Sequence, residues 1–168
     1  MEKNTIENIL NFLETNEDKQ IPSKWFDLMK KLELIKELET HPDGTQYRYN
    51  GKLVLNNSNI KKLPNDLYVD GSLFLWDCAK LTKLPDKLHV GKNLDLWGCE
   101  QLTKLPDNLY VDESLIMIGT SIEEIPDNLY VSGDIYIYDT PLAKKYTDEE
   151  IYEIVTSTGG ELVGKIFR

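Results

Sequence analysis

Four ten-residue segments recur down this chain at a spacing of 20 or 21 residues, and that period restricts the fold more than any other feature. They are Ile60-Lys-Lys-Leu-Pro-Asn-Asp-Leu-Tyr-Val69, Leu81-Thr-Lys-Leu-Pro-Asp-Lys-Leu-His-Val90, Leu102-Thr-Lys-Leu-Pro-Asp-Asn-Leu-Tyr-Val111 and Ile122-Glu-Glu-Ile-Pro-Asp-Asn-Leu-Tyr-Val131. Their prolines, Pro64, Pro85, Pro106 and Pro126, are separated by 21, 21 and 20 residues. A fixed period of this length marks an array of like units, each too small to bury its own apolar face. Such units fold only by stacking around a shared interior.

Each segment leads, after a short turn, into alternating residues: Leu73-Phe-Leu75, Leu94-Asp-Leu96, Leu115-Ile-Met117 and Ile135-Tyr-Ile137. The stretch from Tyr47 to Leu55 fits the same register, which makes about five rungs. Successive strand residues face opposite sides, so the first and third side chains of each piece enter the core and the middle one faces solvent. The expected inner columns are Leu53, Leu73, Leu94, Leu115 and Ile135; Leu63, Leu84, Leu105 and Ile125; and Leu67, Leu88, Leu109 and Leu129. Ser58, Cys78, Cys99, Thr120 and Thr140 form a further column of small polar residues, suited to capping backbone groups where strand becomes turn.

This order of residues resembles the leucine-rich repeats, in particular the short bacterial subclass with a Leu-Pro dipeptide and similar tandem repeats of phages and large viruses. The resemblance covers residues 47 to 142. It implies an α/β solenoid, a leucine-rich-repeat stack with one curved parallel β-sheet whose exposed face binds a partner, usually a protein. The chain departs from the common bacterial form at Leu67-Tyr-Val69 and its equivalents, a second short strand-like piece. Some bacterial effectors join such repeats to a ubiquitin-ligase domain, for which 168 residues leave no room.

A solenoid needs caps, because its terminal rungs would otherwise expose apolar interior and unpaired strand edges. Residues 1 to 46 are expected to supply one. Ile6, Ile9, Leu10 and Leu13 recur at helical spacing, as do Trp25, Leu28, Met29 and Leu32 after Pro22. His41-Pro-Asp-Gly44 then suggests the turn of a hairpin, although the second helix could instead run to Glu39. Residues 143 to 168 form the other cap. Thr147 and Glu150 are spaced as a capping box, Gly159 can end the helix after Thr156, and Leu162 to Phe167 reads as a last strand adding one more parallel rung.

The residues that carry catalysis are scarce. His41 and His89 are the only histidines, and His89 replaces the tyrosine of positions 68, 110 and 130. The chain has no glycine-rich phosphate loop, HExxH or GxSxG, and Asp86, Asp107 and Asp127 recur where a turn explains them. Cys78 and Cys99 are repeat-equivalent residues without a histidine or acidic column beside them, which fits buried structural thiols. No enzyme activity, metal or cofactor is therefore expected. A cationic leader followed by an apolar run is lacking at Met1-Glu2-Lys3-Asn4-Thr5, and no eighteen apolar residues are contiguous, so the reading is a cytoplasmic protein.

Two surface features remain. Phe74, Trp76, Trp97, Ile116, Ile118, Tyr136 and Tyr138 should project from one face of neighbouring rungs, interrupted by Asp95, and an apolar patch of this kind commonly marks an interface. Residues 107 to 153 carry twelve Asp and Glu against Lys144 and Lys145, a net charge of −10, which equals that of the whole chain. Asp112, Glu113, Glu123, Glu124 and Asp134 are the candidate acidic surface. Such a field repels nucleic acid and anionic membrane and favours a basic protein partner. The N-terminal 50 residues, seven Lys and Arg against ten Asp and Glu, do not suit DNA binding either. The expected function is a non-enzymatic protein-binding module. Two alternatives are an acidic inhibitor of phage type that occupies a basic cleft of a defence protein, and a homo-oligomer that uses the same stripe.

Overall fold

The computed structural model describes residues 51–63 and 67–168, together with the strand residues Thr40–His41, Gly44–Thr45 and Tyr47–Tyr49. The two expected N-terminal helices lie outside the described residues. Thr40–His41 and Gly44–Thr45 pair as two short antiparallel strands, with Thr40 opposite Thr45.

From Tyr47 onward the chain is a parallel β-solenoid whose strands form two six-stranded sheets. The LxL sheet stacks Leu53–Val54, Leu73–Phe74, Leu94–Asp95, Leu115–Ile116, Ile135–Tyr136 and Ile166–Phe167 in chain order. The LYV sheet stacks Tyr47–Tyr49, Leu67–Val69, His89–Val90, Tyr110–Val111, Tyr130–Val131 and Glu161–Leu162. Stacking of equivalent residues is as the period requires: Leu73 pairs with Leu94, Leu94 with Leu115 and Leu115 with Ile135. The second sheet is the difference from the single sheet expected. Its cause is the Leu-Tyr-Val piece, which pairs rung to rung just as LxL does, so each coil meets its neighbours along two sides.

The inner columns are nearly free of solvent except at Leu53 and Ile125, which are half-buried. Leu73, Leu94 and Leu115 are 0% exposed, as are Leu75, Leu96 and Met117 in the next column and Leu88, Leu109 and Leu129 on the opposite wall. Each such side chain contributes about 1.5–3 kcal/mol relative to exposure. Backbone bonds between rungs are regular. Leu75, Leu96, Met117 and Ile137 each donate to a carbonyl of the next rung at 2.8 Å. The small polar column caps carbonyls as expected: Thr120 and Thr140 donate to Met117 and Ile137, and the Cys78 and Cys99 thiols donate to Leu55 and Leu75 of the preceding rung.

Besides the bend between the two sheets, two corners turn each coil, and both are built on left-handed backbone. Asn57, Asp77, Gly98, Gly119 and Asp139 all have φ between 54° and 70° and end the LxL pieces. Lys87, Asn108 and Asn128, with φ of 53–59°, sit before the LYV pieces. Asn, Asp and Gly tolerate this region because a short polar side chain bonds locally or no Cβ is present. The sharp bend between the two sheets brings backbones so close that a Cβ on Gly71 would lie 2.6 Å from the Gly51 carbonyl oxygen.

At the C-terminus, helix α1 (Pro141–Lys145) is capped by Thr140 and helix α2 (Asp148–Ser157) by the expected capping box of Thr147 and Glu150. Gly159, at φ 85°, follows its end. The last strand expected from Leu162 to Phe167 is two. Glu161–Leu162 joins the LYV sheet and Ile166–Phe167 the LxL sheet, because Gly164 repeats over Gly133 the bend of every earlier rung. Arg168 holds this cap. It donates to Asp148 at 2.5 Å, to the Ala143 carbonyl at 2.5 Å and to the Tyr146 carbonyl at 2.6 Å.

Candidate functional site

Short extended LxL pieces place two outward columns side by side. One runs through Val54, Phe74, Asp95, Ile116, Tyr136 and Phe167, and its order follows from the strand register. The other, two residues on, runs through Asn56, Trp76, Trp97, Ile118 and Tyr138. Trp97 is 50% exposed and Tyr138 40%, while Phe74, Trp76, Ile116, Ile118 and Tyr136 are half-buried. Thus all eight candidate binding residues lie on one face. Trp76 and Trp97 stack with centroids 6.2 Å apart and an angle of 26°, so neither ring points inward. Tyr136 stacks on Phe167 at 4.9 Å, which extends the stripe by a residue that a single C-terminal strand did not place there. At the other end the Lys52 ammonium lies 5.9 Å from the Phe74 ring centre.

Asp95 is the one charge in the middle of this face. Its neighbours in the column are Phe74 and Ile116. One carboxylate oxygen accepts the Trp97 backbone N–H at 3.1 Å. Burial raises its pKa above the usual aspartate value, and the Trp97 bond only partly opposes this.

The LYV sheet carries a second aromatic column, missed as a surface although its members were visible. Tyr68, His89, Tyr110 and Tyr130 stack at 4.0, 4.3 and 4.2 Å with interplanar angles of 7–10°. The recurrence of aromatic residues at 68, 89, 110 and 130 was its signal. The Tyr110 phenol is pushed up to about 12, chiefly by hydrogen bonding with Tyr130. His89 is a member of this ladder, 3.8 Å from the Asp112 carboxylate.

The candidate acidic residues divide between two corners. Asp112, Glu113 and Asp134 lie in the bend between the sheets, and Glu123 and Glu124 lie on the side that neither sheet covers. Several are engaged: Glu113 with Lys92 at 3.6 Å and Asn93 at 3.0 Å, Asp134 with the Lys165 N–H at 2.8 Å, and Glu124 with Lys145 at 3.9 Å. Exposed pairs of this type contribute little stability. Asp107 accepts the Asp127 N–H at 3.1 Å, the turn role expected of that column.

Cys78 and Cys99 are free and fully buried. The adjacent Cys78 thiol and burial both push Cys99 above its usual value. Among the described residues no three His, Cys, Asp or Glu side chains are grouped to hold a metal ion, and no helix is long and apolar enough to cross a membrane. Compared with family models, curated proteins and solved structures, the chain has no match.

Proposed function

We propose that this solenoid is a protein-binding module of the leucine-rich-repeat type, without catalytic activity, which captures a protein through the outward face of the LxL sheet. The observation that carries this reading is the stacked tryptophan pair, half-buried Trp76 on exposed Trp97, at the centre of a stripe that runs from Phe74 to Tyr138. Large aromatic side chains at the middle of a patch are the groups that most often dominate binding energy, and a stripe this apolar is costly to leave in water. The acidic corner at Asp112, Glu113 and Asp134 borders the same sheet and would speed the approach of a basic partner.

The test is capture of partner protein by the wild-type chain and by the double variant Trp76→Ala, Trp97→Ala, with circular dichroism as the control for folding. The variant is expected to keep its fold and lose capture. Undiminished capture of the same protein by a folded double variant would remove this reading.

A further inference from the structure

Asp95 stands where each neighbouring rung of the column has an apolar side chain, Phe74 below and Ile116 above. Its carboxylate is half-buried, and one oxygen is used by the Trp97 N–H. No cation of the described residues pairs with it. The lysines that border the stripe are placed elsewhere, Lys52 at the Phe74 ring and Lys92 on Glu113. A carboxylate in this position costs solvation that the repeat does not need to lose, since Leu or Ile would fit the column.

The surrounding rings add a second condition. Trp97 is in the same rung as Asp95 and 50% exposed. Trp76 stacks on one side of it, and the next residue of its column is Ile118, not a further ring. Asp95 and Trp97, two residues apart on the outward side of one short strand piece, thus offer a planar cation a carboxylate and an exposed indole from the same rung. Guanidinium suits both, because it bonds carboxylates with a flat fork of donors and stacks on aromatic faces, whereas an ammonium is compact and strongly hydrated.

Resting on the binding role proposed above, we infer that Asp95 and Trp97 form the receptor for an arginine side chain of a basic partner segment. The net charge of −10 over residues 107 to 153 is complementary to such a segment and lies in the rungs that follow. Burial raises the pKa of Asp95, and an arriving guanidinium would lower it again.

The experiment titrates the full chain with capped hexa-arginine, hexa-lysine and hexa-citrulline peptides while following the indole N–H signals by NMR. Hexa-arginine is expected to move the Trp97 indole signal and to bind Asp95→Asn at least tenfold more weakly, with hexa-citrulline inert and hexa-lysine weaker. Asp95→Leu is the folding control. It is expected to melt at or above the wild-type temperature yet to lose the arginine response. Equal affinity of wild type and Asp95→Asn, shifts confined to the acidic corners, or no binding of hexa-arginine would each overturn the inference. Against a captured partner protein the two ideas separate. Retained capture by Asp95→Asn, with loss in the double tryptophan variant, sinks the arginine receptor alone. Retention in both sinks the binding face as well.

Discussion

The two sheets share the same rungs and the same core, but their outward columns differ in kind. On the LYV sheet the column is nearly uniform, and its four rings lie face to face at 4.0–4.3 Å. Each inner ring is satisfied on both faces by its neighbours, so the ladder is explained within the molecule. On the LxL sheet the tryptophans are 6.2 Å apart and inclined by 26°, and the columns change from Phe to Asp to Ile and from Trp to Ile to Tyr. Stacking does not account for that variety. A repeat keeps a residue constant where the rungs need it and lets it vary where something outside the stack selects it.

This contrast can be broken most strongly in the core beneath both faces. Leu115→Ala removes a side chain that is 0% exposed and is expected to destabilise the chain by about 2–5 kcal/mol, read from chemical denaturation. If the loss were as small as at a surface position, the shared interior would not be the source of stability. Next in size is the ladder. Tyr110 stacks on both His89 and Tyr130, and Tyr110→Ala should cost about 1–3 kcal/mol for the two ring contacts. Partner capture should be unaffected. The double tryptophan variant should show the reverse pattern, with capture lost and the melting temperature little changed. Similar behaviour of both variants would erase the distinction between the faces.

How much of this was legible in the sequence follows from the same distinction. The inner columns were readable because leucine recurs at 53, 73, 94 and 115 with isoleucine at 135, and burial alone explains the choice of an aliphatic side chain. The LxL face was readable from alternation, which puts Trp76 and Trp97 on one side. The strand-like character of Leu67-Tyr-Val69 and its equivalents was readable from the same period, but their assembly into a sheet of their own was not, because a piece such as His89–Val90 is only two residues long and the pairing exists only between rungs. The two C-terminal strands were read as one for a similar reason: Val163 and Lys165 look like strand residues, and only the stacking of Gly164 over Gly133 reveals the bend. Asp95 was legible as an interruption, but its half-buried setting was not.

A break in a column can also be a plain cost, and Lys87 is the test of that. It has φ 54° where the equivalent residues are Asn108 and Asn128. Asparagine tolerates left-handed backbone better than lysine does, and Asn108 accepts from Asn128 of the next rung at 3.2 Å, so Lys87→Asn should stabilise the chain by about 0.5–1 kcal/mol. Binding should not change. A stabilising effect together with lost capture would place Lys87 in the interface and widen the candidate site beyond the LxL face.

Asp95 should show the smallest change in stability and the most informative one. Its folded pKa is raised above the ordinary 3.8, so the protonated side chain fits the fold better than the carboxylate. The stabilising contribution is therefore complete below about pH 3.8 and is lost as pH rises through the folded value. At neutral pH the wild type carries this cost and Asp95→Asn does not. With the group only half-buried, solvent screening keeps the advantage of the variant below about 1 kcal/mol. Denaturation at a series of pH values should show that advantage at pH 7 and its disappearance as pH falls towards 3.8. A difference that is constant with pH would mean that ionisation is not what Asp95 costs the fold. The same titration repeated with bound hexa-arginine should reverse the sign at neutral pH, because a guanidinium beside the carboxylate stabilises the charged form that only the wild type has.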